Sequence, residues 1–210
     1  MSPLPILMED HWAPQPGIDP RRAELMWFMR VGQDPHITDL SRIGQERLAG
    51  IAGLDLVPPE WLHMTTLIAG YGDAIQASQV DAMTRQARRL LARVPPVMVN
   101  LGRILYHPRA IMLAIEPQDA LEPVLAACRE ATLAGAGQDG RLYHDPWIPH
   151  VTLAYGNSAG PASPAIEALG RHLPSRQTTI TSVSLVSQAP SQKWKWDLIA
   201  DIPFGVATAS

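Results

Sequence analysis

The sequence has a single cysteine, Cys128, among 210 residues. An intrachain disulfide is thereby excluded, as is any zinc site built on several thiolates. No uninterrupted apolar run reaches the ~20 residues of a membrane-spanning helix. The opening stretch MSPLPILMEDHWAPQPG lacks the basic start and long apolar segment of a secretory signal, so a cytoplasmic chain with no membrane partner is expected. Excess positive charge is missing too: 17 Lys and Arg stand against 20 Asp and Glu, a net charge of -3. Duplex DNA would find no general attraction here, and an anionic ligand must be held by a local cationic or hydrogen-bonding patch. A small phosphate compound fits better, and a monomer is the expected state.

What the chain does have is core material. Apolar residues make up 46%, enough for one compact domain or two small lobes sharing a core. Pro3, Pro5, Pro14, Pro16 and Pro20 break up the first twenty residues, so residues 1–21 read as a tail or as a strap laid over the fold. The run ELMWFMRV over residues 24–31 is short and bulky, as buried strands are. Thr38 offers a helix N-cap with Asp39 in the first turn, predicting a helix to about Ala52. A strand follows over residues 61–69. Val80, Met83, Ala87, Leu90, Leu91 and Val94 recur at helical spacing, with Arg85, Arg88, Arg89 and Arg93 on the water side. Pro95 and Pro96 end that helix, and residues 97–106 read as a strand.

The second half replays this order. A strand over residues 110–116, a helix marked by Leu121, Val124, Leu125 and Cys128, and a strand over residues 147–155 come in turn. A shorter helix over 164–172, a strand over 178–187, a turn at 190–192 and a last strand over 194–202 complete the pattern. The expected organisation is therefore a duplicated domain over 22–203, with lobe halves of about 22–106 and 107–203 between which strands can exchange. Residues 204–210 form a C-terminal tail.

Three H-x-T tripeptides occur: His36-Ile37-Thr38, His63-Met64-Thr65 and His150-Val151-Thr152. The first follows Pro35 and precedes Asp39, and its threonine is explained as a helix cap. The other two lie on strands reached through the same order of elements. Alternate strand residues share a face, which puts His63, Thr65 and Leu67 opposite Met64, Thr66 and Ile68, and sets His150 and Thr152 against Val151, Leu153 and Tyr155. Each copy thus offers an imidazole beside a hydroxyl, a pairing suited to one phosphate held between two strands. Displacement at a phosphodiester needs one proton taken and one given, and imidazole titrates close enough to neutrality for both. Either histidine alone is more simply a strand residue satisfied by backbone or water. The repeat in matched contexts tells against that for the pair.

His63-Met64-Thr65 and Pro149-His150-Val151-Thr152-Leu153 resemble the paired signatures of the two-histidine (2H) phosphoesterase superfamily, which includes the 2′-5′ RNA ligase-like and cyclic phosphodiesterase enzymes. The likeness spans roughly residues 22–203. Thr66 departs from the apolar residue usual at its position. The resemblance implies a bilobal α+β fold, with antiparallel sheets flanked by helices around a central cleft. It implies no metal or other cofactor, His63 and His150 as catalytic residues, and Thr65 and Thr152 as phosphate-binding ones. The implied activity is a metal-independent phosphodiesterase acting on 2′,3′-cyclic phosphates or 2′-5′ linked ribonucleotides, with a small nucleotide or RNA end as substrate. By that analogy His63 protonates the leaving ribose oxygen and His150 activates water. A non-catalytic module that binds nucleotides or RNA ends is the alternative.

Other residues carry weaker signals. Tyr143 and Trp147 precede the second motif and offer faces for base stacking, in competition with core packing or loop anchoring. His107, His144 and Asp145 lack the regular spacing of metal ligands. Strand alternation sends Tyr155 away from the cleft. Lys193 and Lys195 flank Trp194 in QKWKWD, either as charge near the cleft or as a solvated edge.

Overall fold

The computed structural model describes residues 4–14, 19–142 and 146–205. Along them the order is β1 (Leu7–Met8), β2 (Glu24–Arg30), α1 (Pro35–Leu48), β3 (Leu54–Leu56), β4 (His63–Tyr71), α2 (Ala77–Leu91), β5 (Val97–His107), β6 (Ala110–Glu116), α3 (Glu122–Ala136), β7 (His150–Gly156), β8 (Gly160–Pro161), α4 (Ser163–Leu169), β9 (His172–Ile180), β10 (Ser182–Gln188) and β11 (Asp197–Pro203). Two antiparallel sheets dominate, one in the order β11-β10-β2-β4 and the other β3-β7-β6-β5-β9. This is an α+β architecture of antiparallel sheets flanked by helices. The sheets do not divide at the middle of the chain, since β10 and β11 complete the sheet of β2 and β4, while β3 and β5 join that of β6 and β7.

Alternation along β2 explains its place. Leu25, Trp27 and Met29 enter the main core, whereas Met26 and Phe28 pack with Ile68 and Val186 in a separate small cluster on the other face. Trp27 is fully buried, and its indole N–H donates to Thr132 Oγ1 of α3 at 2.9 Å. Thr132 in turn donates to the Cys128 carbonyl at 2.8 Å, so the buried polar pair is satisfied. Helix α3 lies close against α2: a Cβ on Gly135 would sit 2.4 Å from Met83 Cγ and 2.5 Å from its backbone N, which only a glycine avoids. Helix α1 covers the second sheet at β7 and β9.

Several boundaries differ from the sequence reading. Asp34, not Thr38, caps α1: its carboxylate accepts from the backbone N–H groups of His36 and Ile37 at 2.8 and 3.3 Å. Pro35 sits at the first helical position, where its fixed φ favours an earlier start. Thr38 lies inside the first turn and donates back to the Pro35 carbonyl at 3.2 Å. The helix ends at Leu48, short of Ala52, because the chain turns through Gly50 and Gly53, both at positive φ. The strand expected over 178–187 is two strands, β9 and β10. The chain leaves one sheet and enters the other at Thr181, and each strand finds its own partner there.

Residues 4–14 form a strap. β1 pairs with β8, Met8 is buried, Glu9 N–H donates to the Pro108 carbonyl at 2.7 Å and His11 N–H to Gly156 at 2.8 Å. The Arg109 guanidinium fastens the segment by donating to the carbonyls of Asp10 and His11.

Candidate active site

The two motif strands run antiparallel across the junction of the sheets. The chain just before β7 lies along the end of β4, where Ile68 and Arg141 exchange backbone hydrogen bonds at 2.9 and 2.8 Å. Reciprocally, β3 pairs with the end of β7, and Val57 N–H donates to the Leu153 carbonyl at 3.0 Å. Trp147 stitches the pair together, its indole N–H donating to the Thr65 carbonyl at 3.1 Å.

Both imidazoles are anchored alike. His63 Nδ1 lies 2.7 Å from the carbonyl of Trp61, and His150 Nδ1 lies 2.7 Å from that of Ile148, in each case two residues back. A carbonyl only accepts, so each Nδ1 carries the proton and each Nε2 is turned the other way. His63 also lies flat on Phe28, with ring centroids 4.0 Å apart and planes 19° from parallel. Burial, helped by the charge of His150, lowers the His63 pKa to about 4 against the opposing effect of the Trp61 carbonyl. The free protein therefore holds His63 neutral at physiological pH.

Register places the threonines and corrects two expectations. Thr65 stands opposite Phe28 in β2, and Thr152 opposite Met112 in β6. Immediately after each threonine the pairing slips by one residue, leaving Thr66 as a bulge residue without a partner in β2 and Leu153 as one without a partner in β6. A bulge reverses the alternation beyond it. Leu67 therefore faces the core beside Trp27 rather than sharing the face of His63, and Ile68 joins Phe28 instead. Tyr155 likewise returns to the face of Thr152. Burial raises its pKa, opposed by a hydrogen bond with Thr152. Thr66 is 1% exposed and its hydroxyl has no partner among the described residues.

His36 is exposed on the first turn of α1. Trp147 is partly buried against the core, with its indole N–H on the Thr65 carbonyl. Tyr143, His144 and Asp145 lie outside the described residues. His107 accepts from Arg109 N–H at 3.2 Å within the β5–β6 turn. Among the described residues no three His, Cys, Asp or Glu side chains converge as metal ligands do. No helix of these residues is long and apolar enough to cross a membrane. Lys193 Nζ is paired with Asp55 at 2.7 Å, and Lys195 is exposed.

Four neighbours of the motifs escaped the sequence reading: Phe28, Trp61, Trp196 and the strap residue His11. Trp196 packs edge-on against Trp61 and Phe28, at 5.3 and 6.2 Å between ring centroids. His11 lies against Tyr155 at 4.3 Å, and burial with the charge of Arg109 lowers its pKa to about 4. Only Phe28 left a sequence signal, its alternation with Trp27 in an apolar strand of the same lobe as the first motif.

Comparison with known proteins now adds a family. A sequence profile described as the 2′-5′ RNA ligase superfamily matches residues 33–192. A search of curated proteins finds no match. Among solved structures, TT0787 of Thermus thermophilus is similar at 15% identity and a TM-score of 0.66, over 88% of this chain and 100% of its own. E. coli LigT, solved with 3′-AMP, is similar at 15% identity and a TM-score of 0.62, over 88% and 98%. The MHV ns2 PDE domain follows at 14% and 0.58, over 80% and 100%. These likenesses show a shared fold, and the profile covers most of the chain. The protein carrying these two matched histidine strands belongs to the 2′-5′ RNA ligase superfamily of 2H phosphoesterases.

Proposed function

We propose that the protein is a metal-independent phosphodiesterase acting on 2′,3′-cyclic phosphates or 2′-5′ linked ribonucleotides, with His63 and His150 as its acid-base pair. The observation that carries this reading is the identical anchoring of the two imidazoles, each held through Nδ1 by a carbonyl two residues back. Such anchoring fixes the tautomer and aims Nε2, as a proton-transfer group requires. Similar proteins support the substrate class: LigT has been solved with 3′-AMP and with phosphate, and the ns2 relative is a PDE domain.

In hydrolysis of a cyclic phosphate, one imidazole takes a proton from water as its oxygen bonds to phosphorus. The other gives a proton to the ribose oxygen as its bond to phosphorus breaks, leaving a phosphomonoester. Thr65 and Thr152 donate to the non-bridging oxygens. If His63 is the acid, as the superfamily resemblance suggests, it must gain its proton as substrate arrives, because the free ring is neutral above about pH 4. The phosphate's negative charge favours that protonation.

The expected pH profile of kcat is a bell, with an acid limb where the base becomes protonated and an alkaline limb where the acid loses its proton. Activity should survive prolonged dialysis against EDTA. Loss on chelation with recovery on adding a divalent ion would mean that a metal polarises the phosphate, and would overturn the mechanism.

A further inference from the structure

The paired motif strands have two ends. Because β4 and β7 run antiparallel, the residues before His63 share one end with those after Thr152, and the residues before His150 share the other with those after Thr65. Aromatic side chains gather at the first end. Trp61 precedes His63 there, Tyr155 follows Thr152, and Trp12 of the strap meets the Tyr155 ring at 5.0 Å.

The connection between β10 and β11, residues 189–196, spans this end. Its Trp196 rests on Phe28 and Trp61, with the Arg30 guanidinium 5.8 Å from the ring centroid. Its Trp194 meets Trp12 at 6.1 Å, and Lys193 pairs with Asp55 of β3. One short segment thus touches both sheets, at Phe28 of β2 and at Asp55 of β3.

Two features of this segment are unfavourable in the free protein. The Trp196 indole N–H is buried with no partner among the described residues. A buried donor left without a hydrogen bond destabilises the free state. Lys193 is at φ 55, ψ -117, a conformation that non-glycine residues rarely adopt. Simple packing on Phe28 needs only an apolar ring. An indole with an unused donor matches a ligand that offers a flat π-face together with a hydrogen-bond acceptor, and nucleobases offer both.

We propose that Trp196 is the nucleoside-recognition residue of this site. A small shift of residues 189–196 turns its indole onto the base of a nucleotide whose phosphate lies between His63 and His150, with Nε1–H donating to a base acceptor. This rests on the phosphodiesterase reading and adds the base as a specificity determinant.

Two probes separate recognition from simple support of Phe28 and His63: a 2′,3′-cyclic nucleotide, and the 2′,3′-cyclic phosphate of methyl riboside, which has no base. Trp196→Ala should raise KM for the nucleotide roughly tenfold or more, within the range that loss of base stacking produces. Its kcat/KM for the base-free probe should stay within about twofold. Trp196→Phe, which keeps a ring but no donor, should fall between wild type and alanine. Equal losses on both probes would show that Trp196 acts only through Phe28 and His63, and would overturn the proposal. If the wild type turns over neither probe, the phosphodiesterase reading fails on its own. Calorimetry with a 3′-nucleotide and with methyl riboside 3-phosphate then decides: tighter binding of the nucleotide that Trp196→Ala abolishes upholds recognition, and equal affinities refute it.

Discussion

Replacing His63 or His150 by alanine is expected to lower kcat on a 2′,3′-cyclic nucleotide by roughly 10² to 10⁴, the usual contribution of a positioned acid-base group. The two effects should not add, because each proton transfer completes the other and losing one stalls the same step. Thr65→Val and Thr152→Val should cost only about two- to tenfold, since each removes one neutral donor. His36→Ala should change nothing, because that histidine is exposed on α1. Steady-state kinetics on the five single variants and on the His63→Ala/His150→Ala double variant, with melting temperatures to confirm folding, gives the test. Threonine variants more damaging than histidine variants at saturating substrate would reverse the assignment of roles.

Acid should unfold the protein from a pH well above that at which its carboxylates titrate. His11 and His63 are both lowered to about 4 in the folded chain, whereas the unfolded chain binds their protons near 6.5. Above pH 6.5 both are neutral in either state and contribute no pH dependence. As pH falls from 6.5 towards 4, the unfolded chain gains protons that the folded one refuses, and stability is lost. Each such histidine amounts to roughly 3 kcal/mol across that window. Urea unfolding at pH 7 and at pH 4.5 measures the slope. His11→Phe, which keeps a ring against Tyr155, should remove about half of it without touching the motif histidines. An unchanged pH dependence in that variant would show that the strap does not hold His11 neutral.

Much of the architecture is legible in the residues. The apolar stripes of α2 and α3, the short bulky run of β2 and the repeated order of strand, helix and H-x-T strand are all local patterns, and a period of 3.6 or 2 is written in one stretch of chain. The decoy at His36 could be set aside because Pro35 and Asp39 are helix-start residues, although the cap itself proved to be Asp34. With proline at the first helical position, the carboxylate one residue earlier is the group within reach of the open N–H donors.

What the pattern of residues could not hold is anything that belongs to a pair of strands. A bulge is a mismatch between β4 and β2, or between β7 and β6, and no periodicity in one strand reveals it. Strand alternation alone therefore sends Leu67 to the face of His63 and Tyr155 away from that of Thr152, and the bulges reverse both. The same holds for the stack of Phe28 on His63, which depends on register, and for Trp196, which reaches the site from a far later part of the chain than His63. Chain order and composition therefore specify the two histidines, their threonines and the strands that carry them. Tertiary pairing decides what surrounds them, because burial, stacking and pKa arise from neighbours distant in sequence.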